Sequence, residues 1–264
     1  MSIVNEGTKC YYSVDDTGVA LMEINNPPMN ALSRTVLEDI RSTLSKALSD
    51  PSVRVIVFTG AGKAFIAGAD ISELNDYQTA QEGADFLIRG QEITHILMNA
   101  DKPIIAAING FCLGGGLEMA LACHIRIADE GANVGLPEIK LGIIPGYGGT
   151  QRASRLIGPG RALELILSGN FLSGRQAEQY GLVNRAVPKG TVVEEATKLA
   201  GAIASKSRIA VQAAIRAVME GSTMDIYTGM KLERELFGVC YASQDKKEGT
   251  EAFTQKREPK FKDR

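Results

Sequence analysis

Val36, Leu37, Ile40, Leu44 and Leu48 recur at three- and four-residue intervals behind Ser33. That spacing predicts an amphipathic helix with Ser33 as its N-cap. Upstream, Val19–Ile24 reads as a strand. Downstream, "RVIVFT" (Arg54–Thr59) is a continuous β-branched run, expected of a strand covered on both faces. A helix over Ala80–Met98, with Phe86, Leu87, Ile93 and Leu97 inward, leads to a strand at Pro103–Ile108. Three glycines and an apolar segment then predict a buried helix, and "HIRIAD" a further strand. From about Thr191 only helical spacing is left, over 191–205, 208–220, 223–241 and 246–257. The chain divides into an α/β body, residues 1–190, and a helical section, residues 191–264. No Gly-, Pro- or Ser-rich linker separates the two, so the helices are expected to dock.

The strand endings repeat. In "VIVFTGAGKAFIAGAD" and "IIAAINGFCLGGG" a buried strand runs into glycine (Gly60, Gly110), then a Phe (Phe65, Phe111), then a glycine and a small residue, Gly68-Ala69 and Gly114-Gly115. Adjacent turns of this kind present two backbone N–H groups at one level, which suits an anion. Small residues also simply permit tight turns, and either site alone carries no more than that. Glu118, in the first turn of the buried helix, is a carboxylate that is expensive to bury. Glu138 follows Pro137 in "GLPEIKLGIIPGYGG" and could merely open a short helix; its companion Glu118 gives it further meaning.

Composition narrows the classes. The 264 residues carry 31 acidic and 29 basic side chains, for a net charge of −2. No basic surface argues for nucleic acid or an anionic membrane. Cys10, Cys112, Cys123 and Cys240 are scattered, with no CxxC pair, which fits reduced thiols in a cytoplasmic protein rather than disulfides or a metal site. The first residues lack the basic start and apolar run of a signal peptide. The most apolar stretch, 103–123, is interrupted by Asn109, glycines and Glu118, so no membrane span is expected. Gly62-Lys63 fails as a phosphate loop, because Val57 and Ala64 stand at two required positions. Neither His95 nor His124 lies in an HExxH or triad-like setting, and no GxSxG occurs.

What remains is glycines and two acids, and here the chain resembles the crotonase superfamily of enoyl-CoA hydratases and isomerases. The resemblance rests on "NPPMNALS", "GKAFIAGADISEL", "KPIIAAINGFCLGGGLEMALACHIRIAD" and "LPEIKLGIIPGYGGTQR", and extends through "SGNFLSGRQAEQYGLVNRAV" to "KFKDR". It implies an α/β spiral of ββα units with a C-terminal helical trimerisation section, binding an acyl-CoA thioester as a homotrimer or homohexamer. It places an oxyanion hole on the N–H groups of Ala69 and Gly115, and the catalytic acids on Glu118 and Glu138. Substrate and coenzyme A contacts fall on Ala31, Lys63, Ala67, Gly68, Asp70, Ile71, Gly114, Leu136 and Pro137, with Phe261 and Lys262 reaching an adjacent subunit's site. No metal and no cofactor besides the substrate's own coenzyme A are implied. Glycine at 115 is expected to admit the thioester and to tolerate a positive φ. The intact acid pair favours enoyl-CoA hydratase, the addition of water to a 2-enoyl-CoA. Isomerisation, hydration of a cyclic enoyl-CoA, and a non-catalytic acyl-CoA- or RNA-binding role stay open. Two positions depart from the family pattern: Leu136 stands where many hydratases have Gln, and Ser72 where a Lys is common.

Overall fold

The computed structural model describes residues 8–74, 76 and 78–264; Asn75, Tyr77 and residues 1–7, the first part of the segment read for a signal peptide, lie outside its description. Strands β1 (Cys10–Val14) and β2 (Val19–Ile24) form an antiparallel hairpin. Helix α1 (Arg34–Ser49) follows, with the Ser33 side chain accepting from the Val36 N–H as its cap. Then one pattern recurs. Strand β3 (Val55–Gly60), short β4 (Ala64–Ile66) and helices α2 (Ile71–Leu74), α3 (Ala80–Phe86) and α4 (Ile88–Met98) make the first unit. Strand β5 (Ile104–Ile108), short β6 (Phe111–Leu113) and α5 (Gly115–Ala122) make the second. Strand β7 (Ile125–Asp129), short β8 (Asn133–Gly135), a 3-10 turn (Pro137–Leu141), α6 (Gly149–Ile157) and α7 (Pro159–Ser168) make the third. Strand β9 (Phe171–Ser173), α8 (Gly174–Tyr180) and β10 (Arg185–Val187) close the body, and α9 (Val192–Ala204), α10 (Arg208–Gly221), α11 (Ile226–Tyr241) and α12 (Gln244–Thr254) follow.

The long strands build one sheet in the order β1-β2-β3-β5-β7-β10 and the short ones a second, β4-β6-β8-β9. Within the repeat, β3, β5 and β7 pair in parallel, and so do β4, β6 and β8. The repeated strand endings in the sequence are therefore successive turns of a ββα spiral.

The large sheet is buried on both faces, as the β-branched runs require. Ile56, Phe58, Ile104, Ala106 and Ile108 point into the main core with α1, α4 and α5. Val55, Val57, Ile105 and Ala107 point the other way, onto Val192, Ala196, Ala200 and Ala204 at four-residue spacing along α9. The first helix of the all-helical section thus covers the sheet itself. The single helix expected over 80–98 is instead two. Leu87 N–H turns to the Ala84 carbonyl, an i→i−3 bond that ends α3. Helix α3 buries nothing and is held by its Thr79–Glu82 capping box, so Phe86 and Leu87 are only half-buried. Helix α4 is anchored by Gly90, Ile93, Thr94 and Leu97.

Helices α10 and α11 bury none of their residues. Val218, Met230, Phe237 and Val239 on these helices are more than half exposed in the chain. The tail is held down: Asp263 accepts from Arg54 and Arg208, and Asp245 accepts the Lys262 and Asp263 N–H groups. Among the described residues, no helix is long and apolar enough to cross a membrane.

Candidate active site

Parallel pairing of β4 with β6, and of β6 with β8, brings three chain segments out of the small sheet side by side: 67–70, 114–118 and 136–138. The first segment runs along Leu32 as an isolated bridge, with Leu32 N–H on the Gly68 carbonyl at 2.9 Å and Asp70 N–H on the Leu32 carbonyl at 3.0 Å. In such a bridge the residue between the bonded pair turns its own N–H the other way. Among the described residues the Ala69 N–H accordingly has no acceptor, and neither has that of Gly115, the first residue of α5. Between them the backbone is bare. A Cβ on Gly114 would lie 3.8 Å from the Gly68 Cα and 3.1 Å from Glu138 Oε1.

The positive φ expected at Gly115 belongs instead to its neighbours, Gly114 (φ 53°) and Gly68 (φ 112°). Gly115 is helical, and its need for glycine is spatial: a Cβ there would sit 3.1 Å from the Leu32 side chain and from the ring of Tyr147.

Glu118 is 2% exposed in the first turn of α5. Its Oε1 accepts from the Tyr147 N–H at 2.7 Å and the Gly149 N–H at 2.6 Å. Glu138 comes from the 3-10 turn opened by Pro137, and its Oε2 is buried without a hydrogen-bond partner. Burial pushes the Glu118 carboxyl up to about 7 against the pull of the N–H groups and of Arg152. Burial and the charge on Glu118 push Glu138 up to about 7 as well. The two titrate as a pair near neutrality. The two N–H donors and the Arg152 charge favour the ionised form of Glu118, and no hydrogen-bond donor reaches Glu138 Oε2.

That sets a pH dependence of stability. A carboxyl raised in the fold contributes stability below its ordinary range and loses it as pH rises from about 4.5 to about 7. Glu138→Gln stays neutral and should retain that contribution. Thermal unfolding of the variant should match wild type near pH 4.5 and be more stable above pH 7, by up to about 3 kcal/mol. An equal or lower stability at pH 8 would show that burial does not raise the Glu138 carboxyl.

The other expected site residues separate into groups. Ala67 lies with Gly68 and Ala69; Lys63, in the β3–β4 turn, and Ile71, 56% exposed, are on the surface. Asp70 receives the Ser72 N–H and hydroxyl, and the Ala31 carbonyl receives the Asn26 amide. Leu136 is fully buried in the main core. Phe261 and Lys262 are not brought to this site. Phe261 rests on Gly249 of α12 and the tail is tied to Arg54, at the opposite end of β3 from Gly60. Tyr147 and Gly149, whose N–H groups hold Glu118, and Arg152, which holds the Tyr147 carbonyl, are contacts that sequence reasoning missed. Their one signal was the glycine-rich "PGYGGTQR" after Glu138.

Two buried carboxyls raised toward neutrality thus lie at the strand ends of a ββα spiral, near two N–H groups that no described acceptor takes up, an arrangement able to exchange protons and to hold an anion. The chain belongs to the enoyl-CoA hydratase/isomerase family, whose model matches residues 15–264. It is 44% identical over 248 residues to a probable enoyl-CoA hydratase of Bacillus subtilis, covering 94% of this chain and 96% of that protein. It is 42% identical to the crotonyl-CoA hydratase of Syntrophomonas wolfei, covering 92% and 94%. The crystal structure of an enoyl-CoA hydratase from Bacillus anthracis superposes with a TM-score of 0.90 at 39% identity, covering 96% of this chain and 99% of that one.

Proposed function

We propose that this chain is an enoyl-CoA hydratase, adding water reversibly across the 2,3 double bond of a 2-enoyl-CoA to give the 3-hydroxyacyl-CoA. The observation that carries the proposal is the buried Glu118–Glu138 pair beside the unbonded N–H groups of Ala69 and Gly115. The thioester oxygen takes up negative charge as water adds at C3, and the two N–H groups stabilise it; removing one such donor typically costs about 2.7–4 kcal/mol of barrier. Glu118, ionised, takes the proton of the attacking water. Glu138, protonated, delivers a proton to C2. The chemistry requires no metal and no cofactor apart from the coenzyme A of the substrate. Crotonyl-CoA is the natural first substrate to try, in keeping with the name of the Syntrophomonas relative.

A panel of crotonyl-CoA, a cyclohexenoyl-CoA and a 3-enoyl-CoA tests this. Hydration of crotonyl-CoA is expected. Conversion of the 3-enoyl-CoA alone would make the protein an isomerase, turnover of the cyclic substrate alone a cyclic enoyl-CoA hydratase, and no turnover of any a binding protein.

The four cysteines, free in the structure and three of them buried, support a reducing, cytoplasmic setting. The uncovered faces of α10 and α11 support assembly through copies of the chain, as a trimer or a pair of trimers. Because Phe261 packs on α12 and the tail is tied to Asp245 and Arg54, we expect Phe261 and Lys262 to serve another subunit's coenzyme A site. Sedimentation should give three or six times the chain mass. A chain ending at Ala204 should lose both assembly and thioester affinity, and a fully active monomer at micromolar concentration would contradict the assembly.

A further inference from the structure

The loop that holds Glu118 is itself held on its other side. The peptide joining Gly146 to Tyr147 is bonded at both ends: its N–H donates to Glu118 Oε1 at 2.7 Å, and its carbonyl accepts from the Gln91 amide of α4 at 2.8 Å. The next carbonyl, Tyr147 O, accepts from an Arg152 guanidinium nitrogen at 2.8 Å and from the buried Thr94 hydroxyl at 3.2 Å. Arg152 reaches it across bare backbone. Gly148 has a φ of 104°, and a Cβ there would sit 2.2 Å from that same guanidinium nitrogen. The Arg152 Nε is buried and has no hydrogen-bond partner.

The charges around Glu118 are few. Arg152 faces it from α6 and Glu138 from the 3-10 turn. The Cys123 thiol, which also faces Arg152, is pushed up to about 12 by burial and stays neutral. The α4 contacts to the loop, Gln91 and Thr94, are uncharged.

We propose that Arg152, with Gln91 on the opposite side of the loop, is a positioning residue that aims the Tyr147 and Gly149 N–H groups at Glu118 and keeps the negative charge of the carboxyl pair on Glu118 rather than Glu138. It touches no reacting atom. It acts through two peptide planes and through its charge, so its loss should disturb the carboxyl pair and leave coenzyme A binding alone. The proposal rests on the hydratase function for its kinetic consequences but not for its protonation consequences, and the two are measured separately.

The variants are Arg152→Met, Arg152→Lys and Gln91→Leu in the full-length protein. Carbon-13 NMR of the resting protein, labelled at the glutamate Cδ and assigned with Glu118→Gln and Glu138→Gln, follows each carboxyl with pH. Arg152→Met should raise the Glu118 midpoint by about one pH unit, as loss of a nearby opposite charge does. Its kcat for crotonyl-CoA should fall about tenfold or more through misplacement of Glu118, with KM within about twofold. The acid limb of its kcat/KM profile should move to higher pH, because the base is ionised later. Arg152→Lys keeps the charge and should return the limb toward wild type while recovering only part of kcat. Gln91→Leu should lower kcat several-fold and raise the Glu118 midpoint slightly. A folded Arg152→Met with an unmoved Glu118 midpoint overturns the proposal, whatever its stability. Should Arg152→Met fail to fold, an unmoved midpoint in Gln91→Leu overturns it equally. A wild type without hydratase turnover would refute the function while the NMR midpoints still decide the positioning.

Discussion

Glu118→Gln and Glu138→Gln are each expected to lower crotonyl-CoA turnover by about 10²-fold or more, the usual contribution of a positioned general acid or base. An amide of the same shape can neither accept the water proton nor donate one to C2. In Glu118→Gln the amide oxygen can still accept the Tyr147 and Gly149 N–H groups, so the loop and the fold should persist. In Glu138→Gln the substituted group has no hydrogen bond on Oε2 to lose. Binding of a non-reactive saturated acyl-CoA, measured by calorimetry, should therefore stay near wild type in both. The pH profiles should differ: without Glu118 the acid limb should vanish, and without Glu138 the alkaline limb. Near-normal turnover by either folded variant would remove that residue from the mechanism.

Gly115→Val is expected to abolish turnover. A Cβ at 115 already lies 3.1 Å from both the Leu32 side chain and the Tyr147 ring, closer than most real Cβ contacts, and valine adds two branches to it. Leu32 carries the bridge that presents Ala69, and Tyr147 carries an N–H that holds Glu118. One substitution therefore disturbs both proposed donors and one acid. Cys112→Ala, a fully buried change in the neighbouring strand, should lose stability by a few kcal/mol at most and keep its turnover number in the folded fraction. Comparing the two at equal folded concentration, verified by circular dichroism, separates damage to the site from damage to the core. Full activity in Gly115→Val would mean that the anion pocket lies elsewhere.

Much of this was legible in the residues. The continuous apolar runs at Arg54–Thr59 and Pro103–Ile108 gave buried strands because a sheet covered on both faces has no polar side to alternate with. The repeated glycine-terminated strand ends gave the close approach of the Gly68 and Gly114 backbones, because equal units stacked in parallel put equal positions side by side. Other features were hidden for physical reasons. The break at Leu87 depends on which half of the segment finds a core to pack on, a tertiary fact that helical spacing does not encode. The positive φ at Gly114 rather than Gly115 could not be chosen among three consecutive glycines. The Tyr147 and Gly149 donors are backbone groups, which carry no side-chain signature. Arg152 reads as one more polar residue of a helix until the loop folds back against α5.

The central claim is that this carboxyl pair adds water to a conjugated thioester, and it is tested most directly by crotonyl-CoA in oxygen-18 water. Wild type should give 3-hydroxybutyryl-CoA with one labelled oxygen, bound at C3, and the folded Glu118→Gln, Glu138→Gln double variant should give essentially none. Unlabelled product or no product from wild type, or labelled product from the double variant at the wild-type rate, would contradict it.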